Sequence, residues 1–401
     1  MHSMVPPPAP RRVSAHDRAP AGGWALHDSA TARRLEIAAA AGLPPHTLMQ
    51  RAGEAVARLA LAVAPHAQRI WVAAGPGNNG GDGLEAACRL QQAGKQVHVT
   101  WWGSTAGQRP APADALAAHE RAQAAGVPIS HELPDLRQRF DVAIDALLGI
   151  GAQRPLDGRG ATWSAQMAAL RLQAAVPVLA VDLPSGLDGD TGHGVSVQAS
   201  HTLSLLTLKP GLFTAHGRDA AGEVWLDDLG VVPQEPPGTR LSPAPRPRMR
   251  PHASHKGIWG DVAVVGGAAG MTGAALLAAS AALHAGAGRV FVGLLDGGSL
   301  AVDAQRPELM FRPVDELDFS ALHLACGCGG GGAVRRVLPR ALSTAASLVL
   351  DADALNAIAQ DIDQQVARLD LHPPRLSIEL EGDCDFVAHV AVSCCQVMEM
   401  S

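Results

Sequence analysis

The chain contains no tyrosine, and Lys95, Lys209 and Lys256 are its only lysines. Its net charge of −6 lacks the basic excess that is typical of nucleic-acid or membrane surfaces, so neither partner is expected. No apolar run is long enough to cross a bilayer. We attribute the abundance of alanine, glycine and arginine to base composition in the gene. What remains is a globular chain of 401 residues, long enough for two domains.

The cysteines lack both a C-x-x-C pair and the spacing of a zinc site. They are Cys88, Cys326, Cys328, Cys384, Cys394 and Cys395. Free thiols in a reducing cytoplasm fit this distribution, which predicts a cytoplasmic location. Residues 1–23 are rich in Pro, Ala and Arg and lack the apolar core of a signal peptide, so we expect a disordered leader there.

The most informative stretch that is present covers residues 69–89. An apolar run at 70–74 predicts a buried strand, a glycine-rich turn follows at 75–83, and apolar positions from Leu84 onwards recur at helical spacing. In open α/β sheets this arrangement forms a ligand pocket at the carboxyl end of the strand. The glycines allow backbone N–H groups to approach a ligand, and the helix N-terminus favours negative charge.

This turn does not have the signature of a common phosphate loop. Asp82 and Gly83 stand where a Walker loop has Lys and Ser or Thr, and a G-x-G-x-x-G match is weak because glycines are so dense here. Asn78, Asn79 and Asp82 supply oxygen ligands for a hard cation, or hydrogen-bonding groups for a sugar hydroxyl. A turn built simply from turn-favouring residues is the alternative.

Two further strand ends carry similar groups. Strands and helices alternate with short connections through the first half of the chain, which predicts a mostly parallel sheet with helices on both faces. The strand predicted at 141–148 contains Asp145, and the strand predicted at 178–183 leads through Asp182 to Ser185. Because parallel strands end at one edge, we expect these side chains and Asn79 to share a pocket. A lone carboxylate could instead cap the next helix.

A segment packed with Pro and Arg at 233–251 predicts a linker. Beyond it, a strand at 262–265, a glycine-rich turn at 266–274 and a helix to residue 284 repeat the nucleotide-style pattern. Further strands are predicted at 289–294, 322–325 and 347–350, giving a second α/β domain over 252–369. Residues 370–401 do not continue this alternation of strand, turn and helix, and we expect them to form a tail without recognisable elements.

Ordered sequence blocks connect residues 24–232 with a known family. They are 48–53 (LMQRAG), 75–83 (GPGNNGGDG), 145–151 (DALLGIG), 181–188 (VDLPSGLD) and 209–212 (KPGL). On these blocks the region resembles the YjeF N-terminal family, the NAD(P)H-hydrate epimerases. The resemblance implies a Rossmann-like parallel-sheet sandwich that interconverts the R and S forms of NAD(P)H hydrate, a small-molecule substrate. It also allows for a homo-oligomer.

The same resemblance implies roles for individual residues. Asp182 would be the catalytic acid and base, and Asn79, Asp145 and Ser185 would bind a potassium ion. The substrate's diphosphate and ribose would be bound by two groups of residues and by Asp182 itself. These groups are Asn78, Asn79, Gly80, Gly81 and Asp82 in the first loop, and Gly149, Ile150, Gly151, Ala152, Gln153, Arg154 and Pro155 in the second.

The second domain resembles the ADP-dependent NAD(P)H-hydrate dehydratases, which have a ribokinase-like fold. The blocks are 255–257 (HKG), 270–274 (GMTGA), 285–288 (AGAG) and 350–356 (LDADALN). The resemblance implies ADP, with Mg²⁺, as cofactors of a dehydratase half. Its implied nucleotide-site residues are Gly273, Ala274, Asp353 and Asn356.

This second resemblance is incomplete. The family's Thr-Pro-His segment and its Gly-Ser-Gly-Asp turn, which bears the catalytic aspartate, have no counterpart, and residues 326–329 read Cys-Gly-Cys-Gly where the family has a Gly-Pro-Gly-Leu-Gly turn. We therefore expect an incomplete, marginally folded ribokinase-like domain with an inactive dehydratase half. The sequence after Leu369 has the character of a truncated or out-of-frame ending.

Two other functional classes are consistent with parts of the pattern. The first domain could be a non-catalytic nucleotide-binding module, although the intact Asp182 argues against it. The second domain could belong to a small-molecule kinase, although the missing catalytic turn argues against that.

Overall fold

A computed structural model describes residues 9–14, 20, 22–103, 111–135, 139–150, 156, 158–243, 249–359, 377–380 and 388–391. The chain divides into two compact units, Met1–Arg246 and Pro247–Ser401. Each unit is built around its own largely parallel sheet, which confirms the predicted α/β class.

The first unit contains an eight-stranded sheet and a separate two-stranded sheet. The strands are β1 (Arg11–Arg12), β2 (Trp24–Leu26), β3 (Arg69–Ala74), β4 (Gln96–Trp101), β5 (Ile129–Ser130), β6 (Val142–Ala146), β7 (Val178–Val181), β8 (His201–Leu205), β9 (Glu223–Asp227) and β10 (Thr239–Leu241). The large sheet has the order β1-β9-β8-β7-β6-β3-β4-β5. All its pairs are parallel except β1 with β9.

Helices cover both faces of this sheet. They are α1 (Ser29–Ala41), α2 (Thr47–Val63), α3 (Asn78–Gln92), α4 (Ala113–Ala124), α5 (Gly158–Ala174) and α6 (Gly217–Ala220). Strand β3 shows the two-sided burial: Ile70 and Val72 pack in the core that includes α2 and α3, whereas Trp71 packs in the opposite core with α5. Burial on both faces explains why this strand reads as a continuous apolar run rather than an alternating one.

Helix α3 begins earlier than the sequence predicts. The glycine-rich stretch was expected to be a turn up to Gly83, but the helix starts at Asn78 and includes Gly80, Gly81 and Gly83. These glycines bring the helix close to its neighbours: a Cβ on Gly80 would lie 1.9 Å from the Gly75 carbonyl oxygen, and one on Gly83 would lie 2.5 Å from the Ala146 Cβ. The stretch is therefore a tight packing surface as well as a loop.

Two short strands lie in segments for which no regular structure was predicted. β1 lies in the expected disordered leader, where Arg11 and Arg12 pair with β9. β10 lies in the expected linker, where it pairs antiparallel with β2. Both are edge pairings whose partners are distant in sequence, so local composition gave no signal for them.

The second unit contains a seven-stranded sheet. Its strands are β11 (Asp261–Gly266), β12 (Arg289–Leu294), β13 (Met310–Phe311), β14 (His323–Cys326), β15 (Ser347–Leu350), β16 (Ser377–Leu380) and β17 (Ala388–Ala391), and its helices are α7 (Thr272–Ala285), α8 (Leu338–Thr344) and α9 (Asp353–Ala359). The order is β13-β12-β11-β14-β15-β17-β16. The first five strands are parallel and the last two are antiparallel. Strands β11, β12, β14 and β15 were predicted, whereas β13 was not. β16 and β17 lie in the tail where no element was expected.

Candidate active site

Asp145 lies at the carboxyl end of β6 and has no solvent exposure (0%). Ser185 binds both of its carboxylate oxygens: the backbone N–H donates to Oδ2 at 2.8 Å and the hydroxyl donates to Oδ1 at 2.6 Å. Burial raises the pKa of Asp145 to about 6, and the hydrogen bonds from Ser185 and Leu147 oppose part of that shift. These bonds connect the carboxyl end of β6 with the loop after β7.

Asn79 lies in the first turn of α3, beside the loop after β6. Its side chain is 9% exposed, and a Cβ built on Gly149 would lie 3.3 Å from the Asn79 Cγ. Its amide nitrogen is buried and has no hydrogen-bond partner among the residues that the structure describes. The ends of β3 and β6 are also in direct contact, because the Gly75 N–H donates to the Ala146 carbonyl at 2.9 Å.

Asp182 follows β7 directly and is 8% exposed. Its backbone is left-handed, with φ +66°, an unusual conformation for a residue with a side chain. The Leu205 N–H donates to its Oδ1 at 3.1 Å, and Lys209 forms a buried ion pair with the same oxygen. No described residue donates a hydrogen bond to Oδ2.

Lys209 is the main contact of Asp182 that sequence reasoning missed. Its ammonium also donates to the Leu205 carbonyl at 2.9 Å, and the side chain is almost fully buried. The 209–212 block had marked the residue as part of the family pattern but had assigned it no role. A lysine in a chain with so few lysines was the available signal.

Two further acids extend the site, one of them unforeseen. Burial raises the pKa of Glu36, on α1, and the negative charge of Asp182 adds to this. Burial likewise raises the pKa of Asp82, on α3, well above its ordinary value, with further contributions from Glu36 and Asp182. The site therefore contains three interacting carboxyl groups on separate elements. Glu36 was missed because α1 lies far from the strand ends in sequence.

A cleft opens between the N-terminal half of α1 and the loop that follows Asp182. It is lined by Ser29, Ala30, Arg33, Ile150, Leu187, Asp188, Gly189 and Asp190. The guanidinium of Arg33 donates to the Ile150 carbonyl at 2.7 Å, which connects α1 to the loop after β6. Ser29 donates to Asp190 through its backbone N–H, at 2.6 Å, and through its hydroxyl, at 2.9 Å.

The structure thus places the described part of the predicted site at one edge of the first sheet. Asp145 is in β6, at its carboxyl end. The other described site residues lie in the strand-end loops or in the first turns of α3: Asn78, Asn79, Gly80, Gly81, Asp82, Gly149, Ile150, Asp182 and Ser185. One detail differs: the Gly81 N–H donates within the helix to the Gly77 carbonyl at 3.1 Å, so it is not available to a ligand. Gly151, Ala152, Gln153, Arg154 and Pro155 lie outside the described residues.

In the second unit, the predicted nucleotide-site residues lie in two helix starts. Gly273 and Ala274 are in the first turn of α7, and Asp353 and Asn356 are in α9. The loop after β14 adjoins both helices, because the Gly331 N–H donates to Asp353 at 2.8 Å and a Cβ on Gly329 would lie 2.8 Å from the Ala274 Cβ.

Cys326, the last residue of β14, and Cys328, in the loop that follows, are both free thiols. Burial raises the pKa of each thiol to about 12, and Asp351 adds to the shift at Cys328. Both thiols therefore stay protonated near neutral pH and are poor nucleophiles or metal ligands.

Two features are absent from the described residues: a metal-binding cluster and a membrane-spanning helix. No group of three or more His, Cys, Asp or Glu side chains among them is arranged to hold a metal ion. None of their helices combines the length and the apolar character that a membrane span requires.

Comparisons with known proteins match both units. Residues 45–211 match the family model described as YjeF-related protein N-terminus, and residues 262–372 match the model described as NAD(P)H-hydrate dehydratase. The bifunctional NAD(P)H-hydrate repair enzyme Nnr of Coxiella burnetii is 35% identical over 359 residues, covering 85% of this chain and 72% of that protein. The Escherichia coli enzyme of the same name is 32% identical over 381 residues, covering 90% and 71%.

Among solved structures, that of yeast YNL200c is 21% identical, with a TM-score of 0.44. The match covers 52% of this chain and 95% of the yeast chain.

Proposed function

The chain belongs to the family of bifunctional NAD(P)H-hydrate repair enzymes, and on that premise we propose that its first unit epimerises the R and S forms of NAD(P)H hydrate. The hydrate carries a hydroxyl group on C6 of the reduced nicotinamide ring, which is a hemiaminal centre. Inverting that centre requires the C–O bond to break and re-form, or the ring to open and close. Either route needs proton transfer at oxygen, which a positioned carboxylate can provide.

The observation that carries this proposal is the setting of Asp182. Its left-handed backbone and its bonds to Lys209 and the Leu205 N–H fix the carboxylate through Oδ1. Holding a residue in this conformation costs on the order of 1 kcal/mol, which a surrounding structure sustains most often at functional sites. Oδ2 is left to accept and return the proton of the substrate hydroxyl.

The proposed potassium ligands are Asn79, Asp145 and Ser185. Two features of the structure fit a cation here: no basic side chain among the described residues forms an ion pair with the buried Asp145, and the buried amide of Asn79 lacks a partner. Rotating that amide by half a turn would replace its nitrogen with its oxygen, which can be a ligand of a cation. A bound monovalent cation would supply the positive charge that offsets the burial of Asp145.

The substrate's diphosphate and ribose would lie against the start of α3 and the loop that begins at Gly149. The first N–H groups of a helix have no partner inside it, so those of Asn78, Asn79 and Gly80 can donate to an anion. This placement would bring the nicotinamide ring towards Asp182.

The Asp182→Asn variant tests the proposal. Asparagine keeps an oxygen acceptor for the Leu205 N–H and tolerates the left-handed backbone, but it cannot take up a proton. We expect interconversion of the purified R and S hydrates to slow by about 10²- to 10⁴-fold, with binding near normal. Wild-type rates in a folded variant would refute the assignment. If the native chain binds the hydrate but does not interconvert it, the non-catalytic module becomes the better account.

For the second unit, we propose a ribokinase-like domain related to the NAD(P)H-hydrate dehydratases that does not itself dehydrate the hydrate. Its family match supports the relationship. Residues 326–329 read Cys-Gly-Cys-Gly where the resemblance implies a Gly-Pro-Gly-Leu-Gly turn, and this departure supports the absence of activity.

A further inference from the structure

The proposed site presents a charge problem for its substrate. A dinucleotide hydrate carries a negatively charged diphosphate, yet the described site is rich in carboxyl groups. Glu36, Asp82 and Asp182 interact with one another, and Asp188 and Asp190 line the adjoining cleft. Lys209 cannot compensate for them, because it is buried and paired with Asp182. The proposed potassium ion would offset the charge of Asp145, so an anion entering this region still needs a cation of its own.

Arg33 is the described cation in the right place. It lines the cleft, and no carboxylate among the described residues forms an ion pair with it. Its hydrogen bond to the Ile150 carbonyl holds the guanidinium over the loop after β6. Arginine has five N–H donors, so one bond to a carbonyl leaves donors for the oxygens of a phosphate.

Helix α1 determines the spacing between Arg33 and Glu36. Arg33 and Glu36 are three residues apart on α1, which places them on neighbouring turns about 4.5 Å apart along the axis. The charges of Asp182 and Arg33 both shift the pKa of Glu36, Asp182 upwards and Arg33 downwards, so the three groups belong to one region of the site.

We propose that Arg33 adds to the diphosphate-binding groups at the start of α3 and in the loop that begins at Gly149, and that it binds a phosphate from the cleft between α1 and the loops after β6 and β7. This inference rests on the proposed epimerase function. It makes Arg33 a substrate-binding residue that determines affinity for phosphorylated substrates and takes no part in the proton transfer.

The test compares Arg33→Ala, Arg33→Lys and Arg34→Ala in the full chain. Losing a charge-assisted hydrogen bond predicts that Arg33→Ala raises KM for NADH hydrate by about 10- to 100-fold, with kcat within about twofold. Lysine should restore part of the loss, since it keeps the charge without the planar fork. Arg34 is the matched control, because its exposed guanidinium pairs with Glu235 outside the cleft. Its removal should leave KM unchanged.

A second substrate separates phosphate binding from a structural role. The hydrate of reduced nicotinamide riboside has no phosphate, so Arg33→Ala should process it as well as the native chain does. An equal loss on both substrates would show that Arg33 only positions the Ile150 loop, and an unchanged KM for NADH hydrate would refute the proposal outright. If the native chain interconverts neither substrate, the epimerase function itself fails. In that case, ADP-ribose binding that Arg33→Ala does not weaken would refute the phosphate site independently.

Discussion

At the scale of single residues, Asp145 is a buried carboxyl group whose charge has no cationic partner among the described residues. Its pKa in the folded chain is about 6, against an ordinary value of 3.8. Between these two values the folded chain binds more protons at this group than the unfolded chain does. The contribution of Asp145 to the free energy of unfolding therefore falls as the pH rises from about 4 to 6.

This behaviour predicts a linked effect of pH and potassium. Full ionisation of Asp145 costs about 3 kcal/mol at neutral pH, and a bound cation should recover part of that cost. We expect KCl, compared with tetramethylammonium chloride, to stabilise the native chain in urea unfolding at pH 7.5 and to do so much less at pH 4.5.

The Asp145→Asn variant is the control for the group. In this variant, KCl should no longer raise the free energy of unfolding at pH 7.5. The decrease in that free energy between about pH 4 and 6 should also be smaller, because the group no longer titrates. An identical response of the two chains to potassium would place the cation elsewhere.

The site residues that the sequence predicted are those tied to strand ends. Asp145, Asp182 and Ser185 follow apolar runs and precede glycines, a local pattern that identifies the carboxyl edge of a parallel sheet. Glu36 and Lys209 reach the same place from a separate helix and from the loop after β8, and only tertiary contacts show this. Pairings between distant residues leave no trace in a single sequence.

At the scale of elements, the start of α3 determines how closely the helix approaches the sheet. We expect Gly80→Ala to destabilise the first unit by about 1–3 kcal/mol or more, because its Cβ would lie 1.9 Å from the backbone oxygen of Gly75. Gly77→Ser is the matched control: nothing lies within 4 Å of a Cβ there, the backbone is extended with φ −102°, and serine is a favoured N-cap.

Urea unfolding of the two variants decides the point. A Gly80→Ala chain as stable as the Gly77→Ser chain would mean that the glycines are not needed for packing and serve only the ligand.

Elements were predictable where the hydrophobic pattern was long and local. The parallel strands β3, β6 and β7 follow from apolar runs. The two-residue strand β5 was not predicted, because it is too short to give a pattern. The early start of α3 was missed because glycine-rich sequence favours a turn unless close packing requires the residue inside a helix. The strands β1, β10, β16 and β17 were missed because each depends on a partner strand rather than on its own sequence.

At the scale of the whole molecule, the chain has two units with separate sheets, and we propose epimerase activity for the first unit alone. We expect the native chain to epimerise the hydrate with no requirement for ADP. When ADP and Mg²⁺ are added, absorbance at 340 nm should not recover, because residues 326–329 depart from the turn that the dehydratase resemblance implies. Recovery of NADH absorbance that depends on ADP would show that the second unit is active after all.

The central claim is that Asp182, at one edge of the first sheet, catalyses inversion at C6 of the hydrate. Its most direct measurement is a chiral separation that follows the R-to-S ratio over time, starting from pure R hydrate, with native and Asp182→Asn chains in parallel. The account predicts rapid equilibration by the native chain and a rate near background for the variant. Equal rates with the two chains, or no equilibration by the native chain, would contradict it.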